Sequence, residues 1–267
     1  MKITSLQNTA IKNIVKLKDK ASERVSQGLF VIEGAREIRL AVEGGYMIRS
    51  LYHYPDHAKN YTHEFNYLKE VPEEKRFEIT AEVYEKIAYR ETTEGLIALA
   101  ELKKNTLDSI HVGSNPLVVV LESVEKPGNL GAILRTADAA DADAVIICDP
   151  KTDFYNSNVI RSSIGCVFTN QIAKCSTSDA IAWLRKNTIR TYAAELKGSV
   201  RYDTPDFRHA SAIVLGTEAD GLSDEWINAA DARIKIPMLG RIDSLNVAAS
   251  AAIIVFEAMR QRGFNTK

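Results

Sequence analysis

Four polar residues stand in or just behind loops that follow short hydrophobic runs in this chain of 267 residues: Arg135, Glu218, Ser244 and Asn246. A guanidinium grips phosphate oxygens as a fork. An amide, a carboxylate and a hydroxyl add further hydrogen-bonding groups. The five histidines, His53, His57, His63, His111 and His209, fall outside these loops, so neither a His-based catalytic pair nor a zinc site is suggested. Cys148, Cys166 and Cys175 are odd in number and lack metal-ligand spacing, which reads as reduced, structural thiols of a cytoplasmic protein. A Gly-x-Gly-x-x-Gly turn and a Walker lysine are both missing.

Arg135 is the most pointed of the four. In Pro127-Gly-Asn-Leu-Gly131 and the residues that follow, Leu130, Ile133, Leu134 and Ala137 share a stripe about 100° wide at helical spacing, and Arg135 lies about 150° from its centre. Helical side chains lean toward the N-terminus, so Arg135 reaches back past Gly131 toward the unpaired N–H groups of the helix start, a natural phosphate site. An ordinary solvent-facing arginine would occupy the same position. In the second loop, Gly216-Thr-Glu-Ala-Asp-Gly221, two glycines let the backbone turn sharply and approach a ligand, with Glu218 between them; a water-exposed turn carboxylate is the plainer reading. The third loop, from Pro237 to Asp243, leads to a helix expected to begin at Ser244, where Ser244 serves at least as an N-cap. Asn246, in the first turn of that otherwise apolar helix, needs a polar partner if buried.

The elements that position these loops alternate. Strands are predicted near 117–121, 144–148, 189–194, 211–215 and 233–236, with helices between or after them, which argues for an α/β domain with a mostly parallel sheet covered on both faces. Ligands of such sheets sit outside the carboxyl ends of the strands, where all three loops begin. Residues 1–102 form a smaller α/β unit in this reading, 103–115 a polar linker, and 116–267 the larger domain.

Composition sets outer limits. A hydrophobic share of 45% is ample for a core. No apolar run approaches the ~20 residues of a membrane span, and the first residues do not resemble a secretory signal. Net charge is −1, so a nucleic-acid partner must be argued from local clusters. Residues 1–24 hold Lys2, Lys12, Lys16, Lys18, Lys20 and Arg24 against Asp19 and Glu23, a net of +4. A solvated helix face explains that cluster; so does a phosphate-contacting arm in which Lys12, Lys16, Lys20 and Arg24 bind RNA.

Taken in order, the three loops resemble the motifs of the SpoU (TrmH-like) family of RNA ribose 2′-O-methyltransferases, in the SPOUT superfamily. Asn129-Leu-Gly-Ala-Ile-Leu-Arg135, Leu215-Gly-Thr-Glu218-Ala-Asp-Gly-Leu222 and Ile236-Pro-Met238 with Ser244-Leu-Asn246 carry the resemblance. Phe30-Val-Ile-Glu33-Gly and Glu94-Gly-Leu-Ile-Ala-Leu99 extend it to an N-terminal RNA-binding domain related to a ribosomal-protein fold. The resemblance implies a trefoil knot, a homodimer without metal, and S-adenosylmethionine held by Leu215, Gly216, Ile236, Met238 and Leu245. It also implies a polar catalytic group of Asn129, Arg135, Glu218, Ser244 and Asn246. Thr217 and Ala248 depart from the residues common in the family without touching that group. Two domains point to ribosomal RNA of the 23S type as substrate; the alternatives are a tRNA 2′-O-methyltransferase, a base methyltransferase, or a non-catalytic RNA-binding protein of the same fold.

Overall fold

The computed structural model describes residues 1–58, 71–89, 94–217 and 220–264. The chain divides into two units, Met1–Lys103 with Asp153–Thr169, and Lys104–Thr152 with Asn170–Lys267.

In the first unit β1 (Lys2–Ile3) is followed by α1 (Thr9–Asp19), α2 (Ala21–Gln27), β2 (Leu29–Glu33), α3 (Ala35–Glu43) and β3 (Ile48–His53). Then come α4 (Pro55–Ala58), β4 (Arg76–Ile79), α5 (Ala81–Ile87) and β5 (Leu96–Glu101). The sheet order is β1-β4-β3-β5-β2, with β5 antiparallel to both neighbours and the other pairs parallel. Asn8 caps α1 by accepting from the Ala10 N–H at 2.9 Å. The i, i+3, i+6 run of Ile11, Ile14 and Leu17 turns α1 inward onto Val83, Tyr84 and Ile87 of α5. Lys20, in an extended conformation, separates α1 from α2, so the basic segment is two short helices.

The remaining elements are β6 (Leu117–Glu122), α6 (Pro127–Ala139), β7 (Ala144–Cys148), α7 (Ser157–Ser162), β8 (Ile172–Cys175) and α8 (Thr177–Lys186). They continue with β9 (Arg190–Ala194), β10 (Val200–Arg201), β11 (Ser211–Leu215), α9 (Asp224–Ala229), β12 (Ala232–Lys235) and α10 (Val247–Gln261). All but α7 belong to the second unit. Its seven strands run in the order β10-β12-β9-β11-β6-β7-β8, and each pairing is parallel. Both faces are covered, as continuous apolar strands require. Val118 and Val120 of β6 join Ala212 and Val214 of β11 in a core closed by Leu184 of α8 and Trp226 of α9. Period-two alternation sends the intervening residues to the other face, where α10 packs on α6 and β11.

Two segments differ from the sequence reading. Asp153–Thr169, expected within the larger domain, packs in the first unit, where Tyr155 and Phe168 lie against Phe30 and Tyr46. The polar stretch 103–115 is not a solvated connector throughout. Asn105 is buried and donates to the Ile172 carbonyl at 3.0 Å, while its own carbonyl accepts from the Lys174 N–H at 2.9 Å. Its polar groups satisfy the open edge of β8 instead of water.

Candidate active site

Three strand ends bring the expected loops together in the second unit. After β6 the chain turns at Ser123, whose φ is 52°, and enters α6 with Pro127 in its first turn. Leu130, Ile133, Leu134 and Ala137 are buried and Arg135 is exposed, as the helical spacing requires. Among the described residues no hydrogen bond or ion pair engages the Arg135 guanidinium. After β11, Thr217 and Gly221 exchange backbone hydrogen bonds of 2.9 and 3.2 Å, which closes the second loop at its neck. A Cβ at Gly216 would overlap the Gly221 carbonyl, so the closure requires glycine there. Glu218 lies outside the described residues.

After β12 the third loop is longer than expected, because α10 begins at Val247 and not at Ser244. The cap is Asn246. Its Oδ1 accepts from the Ala248 N–H at 3.0 Å, and its Nδ2 donates to Asn129 Oδ1 at 3.2 Å. One amide therefore starts α10 and joins the first loop to the third. Ser244 is exposed and its hydroxyl donates to Asp243 at 3.1 Å.

Two cavities open at this junction. One, of about 440 Å³, has Leu215, Gly216, Ile236, Met238, Ser244 and Leu245 in its wall. Those include all five residues expected to hold a cofactor. Glu195, Asp220 and Asp243 also line it beside Lys235, so carboxylates outnumber cations in its wall. A second cavity, of about 220 Å³, is bounded by Glu125, Lys126 and Asn129 and shares Gly216, Thr217 and Val247 with the first. The two cavities are therefore neighbours at the Gly216-Thr217 backbone and the first turn of α10. Arg135 is not among the described lining residues of either cavity. No group of three His, Cys, Asp or Glu side chains among the described residues is placed to hold a metal ion. No described helix is long and apolar enough to cross a membrane.

In the first unit Lys12, Lys16 and Lys20 are exposed, but Arg24 is not available to RNA. It is 2% exposed, pairs with Asp153 at 2.6 Å and donates to the Leu17 and Lys18 carbonyls at 2.6 and 3.0 Å. Its charge is spent bracing the α1–α2 junction. Lys18 likewise turns inward, donating to the Ile87 and Ala88 carbonyls, and burial lowers its pKa.

Glu122 escaped the sequence reading. This buried residue at the end of β6 accepts hydrogen bonds from Thr177 and from Ser223. The one available signal was a charge closing a five-residue apolar run.

A parallel sheet with neighbouring cavities built from loops at its carboxyl edge is the architecture of an α/β enzyme, and comparison places it more narrowly. Residues 116–256 match the SpoU rRNA Methylase family, and residues 8–98 match the MRM3-like substrate binding domain. The chain belongs to the SpoU rRNA methylase family. It is 28% identical to a 23S rRNA (uridine(2479)-2′-O)-methyltransferase of Streptomyces viridochromogenes, over 98% of this chain and 92% of that protein. A crystal structure of an AdoMet-bound rRNA methyltransferase from Sinorhizobium meliloti superposes with a TM-score of 0.87 at 31% identity, covering 97% of each chain. A tRNA (guanosine(18)-2′-O)-methyltransferase of Thermus thermophilus is 37% identical, but over only 55% of this chain and 75% of that protein.

Proposed function

We propose that this protein is an S-adenosylmethionine-dependent RNA ribose 2′-O-methyltransferase acting on ribosomal RNA. The observation that carries the reading is the Asn129–Asn246 hydrogen bond at the seam of two cavities that share Gly216, Thr217 and Val247. The larger cavity suits the cofactor in volume and in the excess of carboxylates over cations in its wall. Bound S-adenosylmethionine supplies an electrophilic methyl group on a sulfonium. The loop backbones around Leu215, Gly216, Ile236, Met238 and Leu245 hold it, and Asn129 at the smaller cavity orients the ribose hydroxyl. Fixing both reactants in attack geometry is worth ~7–11 kcal/mol of barrier.

Arg135 binds the phosphate next to the target ribose and steadies the negative charge that grows on its oxygen. A guanidinium does not give up its proton in a protein, so the proton leaves to phosphate or water. Ser244 orients substrate, and Glu218 fixes the second loop. The first unit is the RNA arm and the second the methyltransferase, with a trefoil knot in the latter. The protein works in the cytoplasm as a homodimer; Leu239 and Ile242 of the third loop, 97% and 64% exposed, are the apolar surface a second copy would cover. Full-length likeness to a 23S rRNA enzyme favours ribosomal RNA over tRNA. Mapping of 2′-O-methyl groups in cells with and without the protein should reveal one ribosomal position that depends on it. Dependence confined to tRNA, or a methylated base, would replace the substrate or the reaction.

A further inference from the structure

Glu122 ends β6 on the face opposite α6. Alternation sets its side chain with Val118 and Val120, toward α8 and α9. The residue is 7% exposed. Its Oε1 accepts from the Ser223 hydroxyl at 2.6 Å and the Thr177 hydroxyl at 3.1 Å, and its Oε2 accepts from the Ser223 N–H at 2.8 Å. Thr177 opens α8 and Ser223 caps α9, so two helix N-termini face this one negative group.

What it holds is the exit of the second loop. Leu121 pairs with Leu215, from which that loop departs, and Glu122 binds Ser223, where the loop ends. Consecutive residues of a central strand therefore clamp both ends of the segment whose Gly216, Thr217, Asp220 and Gly221 line the larger cavity. The Thr217–Gly221 backbone pair closes the neck between them.

We propose that Glu122 is a positioning residue for S-adenosylmethionine. By fixing Ser223 it sets the second loop in its binding conformation before the ligand arrives, so that association does not carry the entropy of ordering that backbone. The proposal rests on the cavity being the cofactor site. It goes beyond that reading by assigning cofactor affinity to a side chain on the far face of the sheet, which touches neither cavity.

Calorimetric titration of the full-length protein with S-adenosylmethionine tests this in Glu122→Gln, Ser223→Ala and the double variant, alongside their melting curves. A glutamine keeps the volume but offers one acceptor oxygen where three donors converge. Glu122→Gln should raise the Kd for S-adenosylmethionine roughly tenfold, the scale of one hydrogen bond to a charged group. The KM for the cofactor should rise equally, with kcat at saturation and the KM for RNA within about twofold of the parent. Ser223→Ala keeps the N–H bond and should give a smaller rise in the same direction. The double variant should fall short of the product of the two, because each change removes part of the same contact.

An unchanged Kd in a folded Glu122→Gln protein overturns the proposal, as does a loss spread evenly over kcat and both KM values. If Glu122→Gln does not fold, Ser223→Ala decides, and an unchanged Kd there overturns it equally. A parent protein that binds no S-adenosylmethionine would instead sink the functional reading.

Discussion

Asn246 performs two tasks with one amide, and its two ends can be separated. The oxygen caps α10 and the nitrogen reaches Asn129. Asn246→Ala should cost about 1 kcal/mol of stability, the usual worth of an N-cap, and should also cut methyl transfer. Asn246→Asp retains an acceptor for the Ala248 N–H but has no donor for Asn129, so it should melt near the parent while turnover falls. Equal turnover in parent and Asn246→Asp would show that the inter-loop bond is idle. Arg135→Ala makes the complementary case. The side chain is exposed, so melting and cofactor Kd should hold within error while kcat drops by about 100-fold or more. The exposure of Arg135 is legible in the sequence because it follows from 100° spacing within a single helix. Arg24 was misread, since nothing in residues 1–24 announces Asp153, 129 positions away. Glu122 was missed for the same physical reason: its partner Ser223 lies 101 positions on.

Elements are legible in the sequence where one periodicity governs them and hidden where a tertiary contact decides. The strands that became β6, β7 and β11 carry continuous apolar runs, and their burial on both faces follows from composition alone. α10 starts at Val247 and not at Ser244 because both Ser244 and Asn246 are good caps and only the bond to Asn129 selects between them. β3 supplies a pH test of the first unit. Burial, helped by the N-terminal ammonium and opposed by Glu78, pushes the His53 imidazole below its ordinary 6.5. Between the folded value and 6.5 the unfolded chain holds more protons than the folded one, so stability is full above that window and declines as pH falls through it. Urea midpoints should therefore drop between about pH 7.5 and pH 5.5, and His53→Gln should flatten that part of the curve. A slope unchanged by the substitution would assign the decline to other groups.

At the scale of the whole molecule the question is how a chain of net charge −1 holds a polyanion. Its charge balance gives no general attraction, so affinity must come from local cations that water and not protein now solvates. Lys12, Lys16 and Lys20 meet that condition; Arg24 and Lys18 do not. Deleting residues 1–24 would confuse the two sets, because Ile11, Ile14 and Leu17 belong to the core. Replacing Lys12, Lys16 and Lys20 together by glutamine leaves that core intact. Each phosphate contact on a single strand contributes about 0.7 to the slope of log K against log salt. If all three lysines touch phosphate, the triple variant should lose about 2 from that slope and bind RNA more weakly at low salt, with melting unchanged. Arg24→Ala should do the reverse, leaving the salt slope in place and lowering stability, because it removes the cation from Asp153 and the donor from two carbonyls at the α1–α2 junction. A triple variant with the parent's slope would move the RNA contact elsewhere on the first unit or onto Arg135 and Lys126 of the second, and the same titration on Arg135→Ala and Lys126→Gln would then locate it.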